Sequence, residues 1–203
     1  MSQSDSRDVD VVALRHAGEV VDSNACQDAT KSLLLRIPAH QALELTQRQV
    51  ASRWSLFERH QPGVTWPLEF IEDSARIGMK DGLVWPDDDD FTGPGANNFI
   101  RAVKHLWDAS RILDDDEERV TALVDSIANV IMAERLETWG ARHLEQWSRW
   151  YQVRMEGKRR VESQRLQREM VLGTESVDVG RRAWLELADV LEKALLHPGA
   201  MPP

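Results

Sequence analysis

Apolar positions recur with helical spacing over most of the second half of the chain. Phe99, Val103, Leu106, Trp107 and Leu113 fall on one helical face and predict a helix over 99–113. The run Asp114-Asp115-Asp116-Glu117-Glu118 then reads as a short turn plus an acidic first helical turn, which the helix macrodipole favours. Val120, Leu123, Val124, Ile127, Val130 and Ile131 give the following helix its stripe. Between that stripe and Gly173 there is no proline, and only Gly140 and Gly157 interrupt. Residues 117–171 are therefore expected as one long helix, or as two with a kink near Gly140. A last helix is expected over 176–196, with Trp184, Leu187, Ala188, Leu191 and Leu195 inward and Pro198-Gly199 as its stop.

The first half is less regular. Val11-Val12-Ala13-Leu14 and Leu33-Leu34-Leu35 flank Gly18 and the turn cluster Asp22-Ser23-Asn24, and aliphatic runs this short leave strand and helix both open over 9–38. Pro38 ends whatever precedes it. Thr46-Gln47-Arg48-Gln49 has capping-box form, and Val50, Trp54 and Phe57 extend a helix to about His60, where Gln61-Pro62-Gly63 breaks it. Thr65 then caps a helix with Pro67 in its first turn and Leu68, Ile71, Ala75 and Met79 inward. A long acidic connection follows over 81–95, carrying Trp85-Pro86, four aspartates at 87–90 and Gly93-Pro94-Gly95. The pattern predicts an all-α bundle of about five helices: an N-terminal tail and variable segment over 1–40, a helical domain over 41–197 and a C-terminal tail over 198–203.

Composition narrows the chemistry. With 203 residues, 42% apolar and 29% charged, the chain can bury one main core. Twenty-five basic against 34 acidic residues leave a formal charge of −9, which argues against a surface that grips nucleic acid all over. One cysteine, Cys26, excludes an intrachain disulfide and any zinc site of several thiolates. The acidic start resembles no signal peptide, and no segment approaches the 18 uncharged apolar residues of a membrane span, so a cytoplasmic protein without a membrane partner is expected. Eight tryptophans against one tyrosine point to bulky packing, within the chain or between chains.

The sharpest electrostatic feature runs from Arg149 to Arg168. Arg149, Arg154, Lys158, Arg159, Arg160, Arg165 and Arg168 stand against Glu156 and Glu162, a local +5 in an acidic chain. Trp147, Trp150 and Tyr151 lie just upstream. The main expectation is a non-enzymatic interaction or assembly subunit, with those three aromatics as anchors for a protein partner and Arg154, Lys158, Arg159, Arg160, Arg165 and Arg168 as the charged rim. The same face offers phosphate contacts and stacking platforms to nucleic acid, which is the first alternative. Self-association is a third use: an acidic segment, 87–90 or 114–118, against the basic helix of another copy would assemble chains head to tail.

Other chemistry has little footing. Four adjacent aspartates lack the alternating spacing and sharp-turn glycine of a calcium loop, so no metal or cofactor is expected. Cys26 has no adjacent base, and the histidines at 16, 40, 60, 105, 143 and 197 stand singly, with no glutamate-x-x-histidine pair. No glycine-rich phosphate loop follows a strand. Leu45 to Trp54 has the flavour of a first DNA-binding helix, but Ser55 replaces the turn glycine and Pro62-Gly63 cut where a recognition helix would continue. Leu185-Glu186-Leu187-Ala188-Asp189-Val190-Leu191 resembles the second acidic motif of MazG-like all-α nucleotide pyrophosphohydrolases. The resemblance implies magnesium held by Glu186 and Asp189, paired with Glu134 and Glu137 on an earlier helix. That earlier pair lies about fifty residues upstream, farther than the family's short hairpin. Magnesium-dependent nucleotide hydrolysis is thus the second alternative.

Overall fold

A computed structural model describes residues 3–75, 83–86, 91–156 and 160–197, and their side chains except those of residues 3–8, 155, 156 and 160–163. Among these there is no strand, and the all-α expectation holds. The helices are α1 (Gln3–Val20), α2 (Ser23–Leu34), α3 (Ala39–Ala51), α4 (Trp54–Glu58), α5 (Trp66–Asp73), α6 (Ala96–Arg111), α7 (Asp116–Arg142), α8 (Leu144–Glu156), α9 (Arg160–Leu172) and α10 (Thr174–Leu196). Ten helices among the described residues replace the expected five or so, because several segments read as one helix or as undecided are divided by turns. Met79, the aspartates at 87–90 and Pro198-Gly199 lie outside the described residues.

The centre is an antiparallel hairpin of α6 and α7. Ser126 donates to the Ala102 carbonyl at 2.7 Å and Asn98 to Asn129 at 3.3 Å, which fixes the two helices in register. Phe99, Val103, Leu106, Val120, Leu123, Val124, Ile127, Val130 and Ile131 are buried as their spacing predicted, whereas Leu113 falls beyond the end of α6 and is exposed. Asp115 caps α7, accepting from the Glu118 amide at 2.8 Å, and Asp116, Glu117 and Glu118 fill the first turn. Residues 9–38 resolve to helix throughout α1 and α2. Leu14, Cys26, Leu33 and Leu34 join the same core as α6 and α7. Each such buried side chain adds about 1.5–3 kcal/mol, so α1 and α2 are part of what holds the bundle together.

Helix α10 closes the other flank, antiparallel to α1. Arg15 reaches both Asp189 (2.6 Å) and Glu192 (2.7 Å), and Arg181 donates to the Glu19 carbonyl at 2.9 Å. Trp184, Leu187, Ala188 and Leu191 are buried as expected, and Leu195 is half-buried. At the α1–α2 turn the amides of Val21 and Asp22 donate back to Gly18 and Ala17, a helix-ending motif that usually places glycine at the left-handed position. Here Val21 occupies it with φ 55°, and its side chain covers Gly180 of α10.

Three sequence expectations change. Thr46 sits inside α3 instead of capping a helix: Pro38 starts the helix, and the buried Thr46 hydroxyl donates to the Ala42 carbonyl at 2.9 Å. The inner face of α5 is Pro67, Phe70, Ile71 and Ser74, while Leu68 is half-buried and Ala75 exposed. The long stretch 117–171 breaks at His143, not at Gly140. Gly140 serves close approach, since a Cβ there would strike the Pro94 ring. His143 stacks on Trp139 with ring centroids 4.7 Å apart, and its amide returns to Trp139 and Gly140.

The bulky residues predicted for packing form a continuous aromatic chain. Trp107, Phe70, Trp85, Trp66, Phe91, Phe57 and Phe99 follow one another with centroids 4.9–6.2 Å apart, fastening the connection before α6 to α4, α5 and α6. Gly95 completes that attachment with φ 77°, so close to the Ala133 carbonyl of α7 that a Cβ would overlap it. Gly63 also has positive φ, 87°, but open space around it. Gly63→Ala is expected to cost about 1–2 kcal/mol from backbone strain alone. Gly95→Ala adds a clash with α7 backbone and is expected to cost roughly 3 kcal/mol or more, read from the urea midpoints of the two variants.

Candidate interaction surface

Beyond His143, α8 and α9 fold against each other and against the end of α7 as an arm with its own small core. Trp139, Trp150, Leu166 and Met170 are buried together, with Leu136, Trp147 and Tyr151 packed around them. Helical spacing explains the set. Trp147, Trp150 and Tyr151 fall on the inward face of α8, and Leu166 and Met170 on that of α9, separated by three or four residues. Trp147 and Trp150 pack ring on ring at 4.8 Å, and the Arg154 guanidinium covers Trp150 at 5.3 Å. Trp150 is only 8% exposed, and its indole N–H has no hydrogen-bond partner. These two tryptophans hold the arm together before they can anchor anything else.

The charged residues divide differently. Arg154, Arg165 and Arg168 are exposed, and Arg165 pairs along its own helix with Glu169 at 3.1 Å. Arg165 and Arg168 lie one turn apart on α9, on the same face as Leu172, which is 65% exposed. Lys158 and Arg159 are outside the described residues, as is the side chain of Arg160. Thus Trp147, Trp150, Tyr151 and Arg154 gather on α8, facing Phe91, Asn97, Asn98 and Leu136 across a cleft whose internal space, about 30 Å3, suits a water and excludes a nucleobase. Arg165 and Arg168 stand apart from them on α9.

In the body of the molecule guanidinium groups are turned to the chain's own acceptors. Arg36 binds Asp10 at 2.6 Å, Arg53 and Arg182 converge on Glu134 at 2.8 and 3.1 Å, and Arg59 pairs with the buried Glu137. The four carboxylates of the hydrolase motif therefore meet arginines: Glu134 and Glu137 as just given, Asp189 with Arg15, and Glu186 loosely with Arg182 at 3.9 Å. No group of three potential metal ligands occurs among the described residues.

Two arginines of α7 are almost wholly buried. Arg119 donates to the Ile112 and Leu113 carbonyls that end α6 and pairs with Asp116. Arg135 donates to Val171 at 2.7 Å and to Ser176 at 3.1 Å, tying the α9–α10 junction to α7. Burial works against the Arg135 charge, so these carbonyls carry its compensation. Burial likewise pushes the Cys26 thiol up to about 12, with Asp22 adding to the shift and Arg135 opposing it. His60 lies under Gly93, with Nε2 3.9 Å from Glu137. Burial lowers its pKa, Glu137 pulls the other way, and Arg59 adds to the lowering.

A feature the sequence reading missed lies at the opposite end of α7. The α2–α3 turn and the first turns of α7 enclose a groove of about 340 Å3, where aliphatic side chains such as Leu35, Ile37 and Val120 alternate with Arg36, Asp116 and Arg119. Leu35 is 48% exposed at its edge. The run Leu33-Leu34-Leu35 held the signal, because three consecutive residues of a helix cannot share one buried face.

No helix among the described residues is long and apolar enough to cross a membrane. No protein-family model matches the chain, and neither a curated protein nor a solved structure does.

Two outcomes follow from the buried groups. Cys26 is expected to stay silent to a thiol reagent at pH 8 in the folded protein and to react once urea unfolds it; rapid labelling without urea contradicts its burial. His60 favours its neutral form in the fold, so its contribution is full above the unfolded value of about 6.5 and declines as pH falls below it. His60→Gln is expected to flatten the loss of urea midpoint between neutral and mildly acidic buffer.

Proposed function

We propose that this protein is a non-enzymatic helical interaction subunit whose α8–α9 arm binds a protein partner with an acidic surface. One contrast carries the reading: in the body guanidinium groups are largely engaged by carboxylates and carbonyls of other elements, whereas on the arm Arg165 pairs only along its own helix with Glu169 and the exposed Arg168 has no acidic partner among the described residues. The segment 149–168 holds a charge of +5 in a chain of −9, which supports recognition of an oppositely charged surface. Arginine suits planar, directional contacts with carboxylates. Trp147 and Tyr151, both half-buried at the cleft, are the aromatics placed to reach a partner, since Trp150 is spent on the arm's own packing.

The packing of the indoles also favours protein over nucleic acid. Base stacking needs open aromatic faces, Trp150 would have to leave Leu166 and Met170 to supply one, and the cleft beside Trp147 is too small for a base. Phosphate contacts by the arginines alone remain the competing use.

Capture of partners by the tagged full-length chain from nuclease-treated extract tests the reading. A bound protein is expected to elute with salt. When purified, it is expected to bind the double variant Arg165→Glu/Arg168→Glu at least about tenfold more weakly, roughly 1.4 kcal/mol. Equal binding by the variant, or loss of all capture on nuclease treatment, rejects it.

A further inference from the structure

The two ends of α7 carry opposite chemistry. At its N-terminal end the groove, whose aliphatic lining is interrupted by Arg36, Asp116 and Arg119, is edged by Leu35 and, nearby, Leu113, which is 46% exposed and whose carbonyl is held by Arg119 of the groove wall. Beside it Asp114, Asp115, Asp116, Glu117 and Glu118 are all exposed. Among the described residues only Asp116 and Glu117 of these have cationic partners, Arg119 and Lys31. At the C-terminal end Arg142 contacts Glu175 at 3.4 Å, which brings the α7–α8 and α9–α10 junctions side by side. Leu144 and Leu172, 61% and 65% exposed, flank those junctions, and Arg165 and Arg168 continue the face of Leu172 along α9.

One end is thus a partly aliphatic recess with an acidic border, and the other a pair of exposed leucines with a border on which Arg165 and Arg168 outnumber Glu169. From these features we propose that the partner of the arm is a second copy of this chain: Leu172 seats in the groove, and Arg165 and Arg168 lie against the 114–118 acidic turn. The inference rests on the arm being the binding element and adds what it binds.

Geometry forbids the contact within one chain. The 27 residues of α7 span about 40 Å at 1.5 Å each, several Debye lengths of about 8 Å. A groove of about 340 Å3 has room for a leucine side chain and not for a helix, so in this contact α9 stays outside it and the arm need not unfold. Because the two surfaces differ, the interface is heterologous, and each added copy presents a fresh groove and a fresh arm.

Sedimentation velocity of the full chain over a concentration series at low and high salt tests this. Wild-type mass is expected to climb past dimer with concentration and to fall with added salt. Arg165→Glu/Arg168→Glu and, separately, Leu35→Glu/Glu118→Arg are each expected to weaken association at least about tenfold, with helical circular dichroism unchanged. Mixing the two variants leaves one intact arm and one intact groove, so a 1:1 dimer that does not grow is expected. A monomer at every concentration and ionic strength overturns the proposal, as does a dimer that neither variant weakens. If the chain stays monomeric while the arm variant still loses a different protein in the extract experiment, self-association fails and the interaction reading stands; if the arm variant changes neither, both fail.

Discussion

Packing α7 between helices on several sides is the constraint on which the rest of the structure depends. A helix covered by several neighbours has little room for a solvated polar face, yet α7 carries Arg119, Arg135 and Glu137 into the interior. Leaving any of them without a partner would cost several kcal/mol. The surrounding elements end where these groups need them. Arg119 receives the last carbonyls of α6, Arg135 those around the α9–α10 junction, and Glu137 the Arg59 guanidinium just past α4. Two of the three contacts use main-chain carbonyls, so side-chain charge is stabilised by the orphan acceptors that helix ends necessarily leave.

That arrangement separates the molecule into two electrostatic regimes. The body pairs its arginines internally, and the exposed members of those pairs add little stability individually while fixing which faces meet. The arm is held by a separate small core of four buried residues, and its cations project outward. A small core also makes the arm less costly to open than the α6–α7 hairpin, and elements that bind other molecules are drawn from that less stable end.

Legibility from sequence followed the packing of each element. The α6 and α10 stripes were readable because each of these helices presents a face to a single contiguous core, and that of α7 because its apolar residues keep helical spacing over 120–131. Residues 9–38 were not, since exposed aliphatics such as Val9, Val12, Val20 and Leu35 stand beside buried ones and blur the period. Thr46 misled because a threonine can satisfy its hydroxyl on a carbonyl one turn back as well as at a cap. Gly140 misled for a related reason: glycine marks close approach as readily as a kink, and here Pro94 is what approaches. The arm's arginines were found by charge counting, but the role of its tryptophans could not be, because a tryptophan beside arginines reads alike whether the indole faces a partner or the arm's own core. The groove was hidden in a tertiary meeting of two segments about eighty residues apart.

The inward turn of Trp150 decides what kind of binding the arm can support. With Arg154 lying over the indole, the cation and the aromatic face satisfy each other, and neither is available at full strength to a third group. What remains is a rim of guanidinium groups with an exposed leucine at each junction, a surface lacking the deep aromatic anchor of a tight interface. Such a surface gains most from long-range attraction, which speeds encounter and fixes orientation, and gains less from buried contact. Association through it would therefore be governed by ionic strength and by how many contacts are made at once. The proposed head-to-tail contact would meet both conditions, because each junction would be weak alone and every added copy would supply another.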